Sequence, residues 1–134
     1  MLNVLWLQSG GCGGCSMSLL CADTTDFDGL LAASGVRLLW HPSLSLASGD
    51  QVLALLDDCL AGRVAVDVLC VEGAILRGPQ GTGRFHLMAG TGRPMMEWVR
   101  DLACVARHVV AVGSCAAWGG VSATGANATE ACGL

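Results

Sequence analysis

Hydrophobic and polar positions along the chain alternate between the period of buried strands and the period of amphipathic helices. Short, nearly continuous apolar runs predict four strands, at residues 3–8, 36–40, 66–71 and 108–112. The intervening segments predict helices, at residues 16–34 with a break near Thr24 and Thr25, at 52–60 and after Pro94. Strands that alternate with helices in this way form a parallel sheet covered by helices on both faces. The pattern therefore predicts an α/β domain.

Two of the predicted helices carry a clear apolar face. One face consists of residues at i, i+3, i+4, i+7 and i+8, namely Val52, Leu55, Leu56, Cys59 and Leu60. The other has helical spacing after Pro94 and consists of Met95, Trp98, Val99, Leu102 and Ala106. The Val- and Leu-rich strands are typical of strands covered on both faces. Together these features predict a flavodoxin-like, doubly wound parallel sheet.

The last segment of the sequence differs from the rest. Residues 116–134 are rich in Gly, Ala, Ser and Thr and show no periodic apolar face. A domain of this class ordinarily closes with a further helix or strand. We therefore expect residues 1–134 to form one N-terminal domain that is truncated before its end.

Composition and charge exclude several classes of protein. A chain of 134 residues that is 53% hydrophobic and 13% charged has enough apolar residues for one core, which excludes intrinsic disorder. The net charge of −4, with all seven basic residues being Arg, provides no basic surface for nucleic acid. No apolar run is long enough to span a membrane, and no secretory signal is visible, so we expect a cytoplasmic location.

Chemistry-bearing residues fall at the ends of three predicted strands. The first strand is followed by Cys12 and Cys15 in a glycine-rich loop. The third strand leads into Glu72, and the fourth leads into Cys115. Because ligand sites in open parallel sheets form outside the carboxyl ends of the strands, these residues are expected to share one edge. Cysteine thiolates are the ligands of iron–sulfur clusters, so the edge is a candidate metal centre.

The other candidates have simpler interpretations. Glu72 is either a solvated carboxylate at a strand end or a proton donor or acceptor beside the cluster. Cys132 is a weak candidate for a further ligand. Core packing is the expected role of the remaining cysteines, which are Cys21, Cys59, Cys70 and Cys104.

Three motifs in this order resemble nickel–iron hydrogenase small subunits. They are residues 6–20 (Trp-Leu-Gln-Ser-Gly-Gly-Cys-Gly-Gly-Cys-Ser-Met-Ser-Leu-Leu), Val71-Glu72-Gly73 and residues 113–121 (Gly-Ser-Cys-Ala-Ala-Trp-Gly-Gly-Val). The resemblance covers essentially the whole chain. It is nearest to the soluble hydrogen-sensing (regulatory) type and to related cytosolic uptake enzymes.

The resemblance implies a role and a cofactor. Cys12, Cys15 and Cys115 would be three ligands of a proximal 4Fe-4S cluster, with Glu72 close to it at the subunit interface. This subunit would carry electrons away from H2 oxidised at a nickel–iron centre in a separate large subunit, towards an electron acceptor or signalling partner. Some members carry extra cysteines around a modified cluster, but Gly14 and Gly120 stand at those positions, which implies an ordinary cluster.

The resemblance also implies parts that this sequence lacks. In the family a fourth ligand lies in a Cys-Pro motif farther along than this sequence extends, and a C-terminal iron–sulfur domain follows. Cys132 is the weak substitute within the 134 residues.

Three alternatives stay open on the sequence. Cys12 and Cys15 form a Cys-x-x-Cys pair, which also occurs in thiol–disulfide oxidoreductases. Gly11-x-Gly13 after the first strand is a weak match to a dinucleotide-binding loop, because Ser16 replaces the third glycine. The third alternative is a truncated fragment that holds no cluster.

Overall fold

A computed structural model describes residues 1–22 and 26–134 of the chain. In chain order its elements are β1 (Leu2–Gln8), α1 (Gly14–Leu20), α2 (Phe27–Ala33), β2 (Val36–Trp40), α3 (Asp50–Leu60), β3 (Val68–Glu72), β4 (Ile75–Leu76), α4 (Met95–Val105), β5 (His108–Val112), α5 (Gly113–Trp118), a 3₁₀ turn (Gly120–Ala123) and β6 (Ala131–Cys132).

Four strands form one parallel sheet in the order β2-β1-β3-β5. The chain builds outward from β1 in both directions, so the strand order reverses between β1 and β3. In the register of these two strands Gln8 is paired with Glu72, which places both residues at the carboxyl edge. The predicted flavodoxin-like parallel sheet is confirmed, with strand ends that differ from the predicted ones by at most two residues.

The two faces of the sheet have different roles. Side chains alternate between faces along a strand, so Leu5 and Leu7 on β1 lie on the same face as Leu69 on β3. Helices α3 and α4 cover this face and form the main hydrophobic core with it. Both predicted helix faces are confirmed, with Leu56 and Leu102 completely buried at their centres. The opposite face carries the polar residues of the candidate site.

The helical segment predicted at residues 16–34 forms two helices, α1 and α2. The Asp26 side chain caps α2 by accepting a hydrogen bond of 2.6 Å from the amide of Gly29. The break predicted near Thr24 and Thr25 lies outside the described residues.

One expectation about the last part of the chain is wrong, and the truncation of the domain before its end stays a prediction. Strand β5 was expected to be covered on both faces, but it is the edge strand among the described residues, and Val109 and Val110 are exposed. Residues 116–134 are ordered despite their lack of periodicity, because β6 returns to pair antiparallel with β4. Both strands are two residues long, which is too short to give a periodic signal.

Candidate functional site

The loop after β1 lies directly against the end of β3. The amide of Ser9 donates to the Glu72 carbonyl oxygen at 2.7 Å, and Gly10 exchanges two hydrogen bonds of 2.8 Å with Ala74. Gly73 has a φ of 92°, and a Cβ there would lie 2.9 Å from backbone atoms of Gly10 and Gly11. A glycine at position 73 is therefore required for this close backbone approach.

The predicted cysteines meet at this edge. Cys15 lies in the first turn of α1 and Cys115 in the first turn of α5, both partly buried, while Cys12 is exposed in the preceding loop. The pKa of the Cys15 thiol is raised, chiefly by burial and further by the nearby charges of Glu72, Cys115 and Cys12. The structure thus brings together the three predicted cysteines and Glu72, although Cys12 and Cys115 are far apart in sequence.

Glycines leave space beside the sulfur atoms. A Cβ on Gly113 would overlap Cys15 Sγ, and a Cβ on Gly120 would lie 2.6 Å from Cys115 Sγ. Both glycines have positive φ, of 82° and 55° respectively. Two of the three thiols, those of Cys15 and Cys115, thus lie beside positions that favour glycine, which fits a bulky group bound through sulfur.

Across residues 1–22 and 26–134, no three Cys, His, Asp or Glu side chains are grouped closely enough to hold one metal ion.

Glu72 is the polar centre of the site and is only 2% exposed. Its carboxylate accepts hydrogen bonds from four donors: the Trp6 indole N–H, the Gln8 side-chain amide, the Ser16 main-chain amide and the Ser16 hydroxyl. Burial alone would raise its pKa, but the hydrogen bonds from Ser16, Gln8 and Trp6 outweigh burial and lower it. Glu72 is therefore an ionised carboxylate with its acceptor positions filled, rather than a solvated one. Its role in proton transfer stays a prediction.

The residues that surround Glu72 were not among the predicted site residues. Trp6 and Gln8 share its face of the sheet, Ser16 follows Cys15, and His41 follows β2 at the same edge. Gln8 and His41 did give a signal: each is a polar residue at the carboxyl end of an apolar strand.

The other cysteines have different surroundings. Cys132 is paired with Ile75 and packs against the hydrophobic core, and its role as a further ligand stays a prediction. Cys59 and Cys70 are buried as predicted. The prediction of core packing is wrong for Cys104, which lies four residues after Arg100 on the charged side of α4 and is exposed. It is also wrong for Cys21, which is exposed at the end of α1.

An open cavity and an apolar surface adjoin the thiols. The cavity has a volume of about 340 Å³, and its lining includes Cys12, Ser16 and Met17. Trp118 on α5 and Val121 after it are 80% and 83% exposed. Large apolar side chains exposed together are typical of protein interfaces. No helix in the described part of the chain is long and apolar enough to cross a membrane.

Comparison with known proteins identifies related chains. The family described as "NADH ubiquinone oxidoreductase, 20 Kd subunit" matches residues 12–133. The hydrogenase-2 small chain of Escherichia coli K12 is 35% identical over 131 residues, which cover 98% of this chain and 34% of that protein. The periplasmic [NiFeSe] hydrogenase small subunit of Desulfomicrobium baculatum is 35% identical over 134 residues, covering 94% of this chain and 42% of that one.

Solved structures show the same relationship. A reduced, active Ni-Fe-Se hydrogenase from Desulfomicrobium baculatum superimposes with a TM-score of 0.83 at 34% identity, over 98% of this chain and 48% of that one. An actinobacterial-type NiFe-hydrogenase from Ralstonia eutropha H16 gives a TM-score of 0.82 at 29% identity, over 99% and 42%. The chain thus spans between a third and a half of the length of the proteins it matches.

Proposed function

The chain belongs to the family of the NADH ubiquinone oxidoreductase 20 kDa subunit and matches the N-terminal part of nickel–iron hydrogenase small subunits, and we propose that it carries electrons in such a hydrogenase. The proposed reaction is the oxidation of H2 in a separate large subunit. This chain would take the electrons from that subunit. The meeting of Cys12, Cys15 and Cys115 at one sheet edge carries the proposal.

The three cysteines are proposed to hold a proximal 4Fe-4S cluster. When bound, such a cluster supplies one-electron transfer at a potential set by nearby charge, hydrogen bonds to sulfur and exposure to solvent. In this chain Glu72 supplies a fixed negative charge next to Cys15. Gly113 and Gly120 keep the space beside the sulfur atoms free of side chains. These residues hold and surround the group, and the chemistry at nickel belongs to the partner.

A fourth ligand is proposed to come from outside these 134 residues. A 4Fe-4S cluster takes four cysteines, and three are brought together here. Cys132 packs against the core instead. The resemblance implies a Cys-Pro motif, but the three prolines of this chain follow His41, Gly78 and Arg93.

The exposed apolar surface around the thiols is proposed as the contact with the large subunit. Three exposed side chains lie close in sequence to Cys15 and Cys115, namely Met17, Trp118 and Val121, which are 61–83% exposed. A partner that covers them would also exclude water from the path of the electrons. A cytoplasmic location and a hydrogen-sensing role stay predictions of the sequence; the related Desulfomicrobium subunit is named periplasmic.

The proposed function is tested on the chain expressed together with a hydrogenase large subunit and purified without oxygen. We expect H2 to bleach the visible iron–sulfur absorbance of the wild-type complex and of the Cys104→Ser control, but not of Cys115→Ser. Cys104 is exposed on α4, away from the site, so it controls for the loss of a thiol. A complex with no such absorbance would favour the truncated fragment that holds no cluster, and reversible oxidation confined to Cys12 and Cys15 would favour the thiol–disulfide alternative.

A further inference from the structure

A buried line of hydrogen bonds runs from His41 through Ser16 to Glu72. The three residues are at most 3% exposed and lie on three different elements or their ends. His41 Nε2 is 3.0 Å from Ser16 Oγ, and Ser16 Oγ is 2.5 Å from Glu72 Oε2. Buried polar side chains that are all partnered in this way hold one another in a single arrangement.

The geometry fixes which atom carries each proton. The main-chain amide of Ser43 donates to His41 Nδ1 at 3.0 Å, so Nδ1 has no proton and the neutral ring carries its proton on Nε2. That N–H donates to the Ser16 hydroxyl oxygen. The hydroxyl has one proton of its own, and Glu72 can only accept, so Ser16 donates to Glu72.

Two further contacts hold His41 in place. The backbone amide of His41 donates to Ser45 Oγ at 2.9 Å. Its ring packs on Trp6, with centroids 4.9 Å apart and the planes tilted by 41°. Burial lowers the pKa of His41, while the charge of Glu72 opposes this effect, in agreement with a neutral ring.

The line ends at the loop that carries the cysteines. Ser16 directly follows Cys15, and its amide and hydroxyl donate to the two different oxygens of Glu72. We propose that His41 is a positioning residue, which holds the Ser16 hydroxyl on Glu72 and thereby fixes the place of the Cys15 sulfur. This inference rests on the proposed function only where it concerns the bound cluster.

Two substitutions of His41 distinguish the effect of its Nε2–H donor from the effect of the rest of the ring. His41→Gln can place an amide N–H where Nε2–H lies and so keeps the donor to Ser16. His41→Asn can keep an acceptor for the Ser43 amide at the place of Nδ1, but it does not reach Ser16. A residue that only fills space would respond alike to both changes, whereas a positioning donor would be rescued by Gln.

The readout is the rate at which an iron chelator removes the cluster from anaerobically purified complex. We expect loss about five-fold faster in His41→Asn, since one hydrogen bond to Ser16 is removed, and within about two-fold of wild type in His41→Gln. Equal rates in both variants, whether fast or slow, would overturn the proposal.

A second readout does not depend on the cluster. If wild-type protein contains no iron, the proposed function fails, and the alkylation rate of Cys15 is compared by mass spectrometry instead. We then expect faster alkylation of Cys15 in His41→Asn than in His41→Gln and wild type. Equal alkylation of Cys15 in all three proteins would overturn the positioning role on its own.

Discussion

Glu72 and Ser16 are joined by two hydrogen bonds, one from the Ser16 amide at 3.1 Å and one from its hydroxyl at 2.5 Å. The last residue of β3 is thereby tied to the residue that follows Cys15 in α1. A buried carboxylate with this many donors stabilises the fold only while it is ionised and fully paired. The strand end, the helix start and the cysteine loop therefore depend on one side chain.

Replacing this carboxylate tests that dependence. Glu72→Gln puts an amide N–H next to groups that are themselves donors and leaves part of the network unpaired. We expect a loss of about 2–3 kcal/mol in the free energy of unfolding, measured by denaturant titration. The control is Glu97→Gln, which weakens a partly exposed ion pair with Arg93 and should cost about 1 kcal/mol or less. Equal losses in the two variants would contradict a central role of Glu72.

The free energy of unfolding is expected to decrease in two stages as the pH is lowered. His41 has a pKa lowered from 6.5, so below that pH the unfolded chain binds a proton that the folded chain resists. Glu72 has a pKa lowered from 4.5, so its contribution is present above that pH and is lost as pH falls through the folded-state value.

The measurement is the free energy of unfolding between about pH 8 and pH 2, a range that includes both stages. His41→Gln should flatten the upper stage in part, since the pKa of His86 is also lowered by burial and its contribution remains. A free energy of unfolding that stays constant from pH 8 down to pH 4.5 would contradict the lowered pKa of His41, because it would mean that the folded and unfolded chains bind this proton alike.

The space beside Cys115 is tested by a pair of glycine substitutions. Gly120 and Gly125 both have positive φ, of 55° and 65°, so alanine strains the backbone at either position by roughly 1–2 kcal/mol. Only at Gly120 does the new Cβ meet Cys115 Sγ, while Gly125 has open space. We expect Gly120→Ala to lower the iron content of the purified protein and Gly125→Ala to leave it unchanged. Equal iron content would contradict a cluster at Cys115.

Thiol reactivity should follow burial. Burial raises the pKa of Cys70 to about 11 and also raises that of Cys59, so neither thiol forms the reactive thiolate readily. We expect iodoacetamide to modify exposed Cys21 and Cys104 in the native protein well before Cys59 and Cys70. Peptide mass spectrometry against time measures the order, and early modification of Cys70 would contradict its placement in the structure.

Much of this arrangement could be predicted because it depends on short-range pattern. The apolar runs that form β1, β2, β3 and β5 are visible in the sequence, and the rule for parallel sheets brings their carboxyl ends together. This rule alone was enough to place Cys12, Cys15 and Cys115 at one edge.

The rest depends on contacts between distant residues. The line from His41 to Glu72 joins side chains from three elements, and no local pattern specifies the orientation of a serine hydroxyl. Cys104 was misplaced because residue type suggested burial, whereas its position on the charged side of α4 decides its exposure. The pairing of β4 with β6 joins segments more than fifty residues apart through only two residues each.

The central claim is that Cys12, Cys15 and Cys115 hold an iron–sulfur cluster, and iron and acid-labile sulfide in anaerobically purified protein test it most directly. We predict about four iron and four sulfide per chain in wild type and in Cys104→Ser, and a loss of most of both in Cys115→Ser. Wild-type protein free of iron and sulfide, or Cys115→Ser with wild-type content, would contradict the claim.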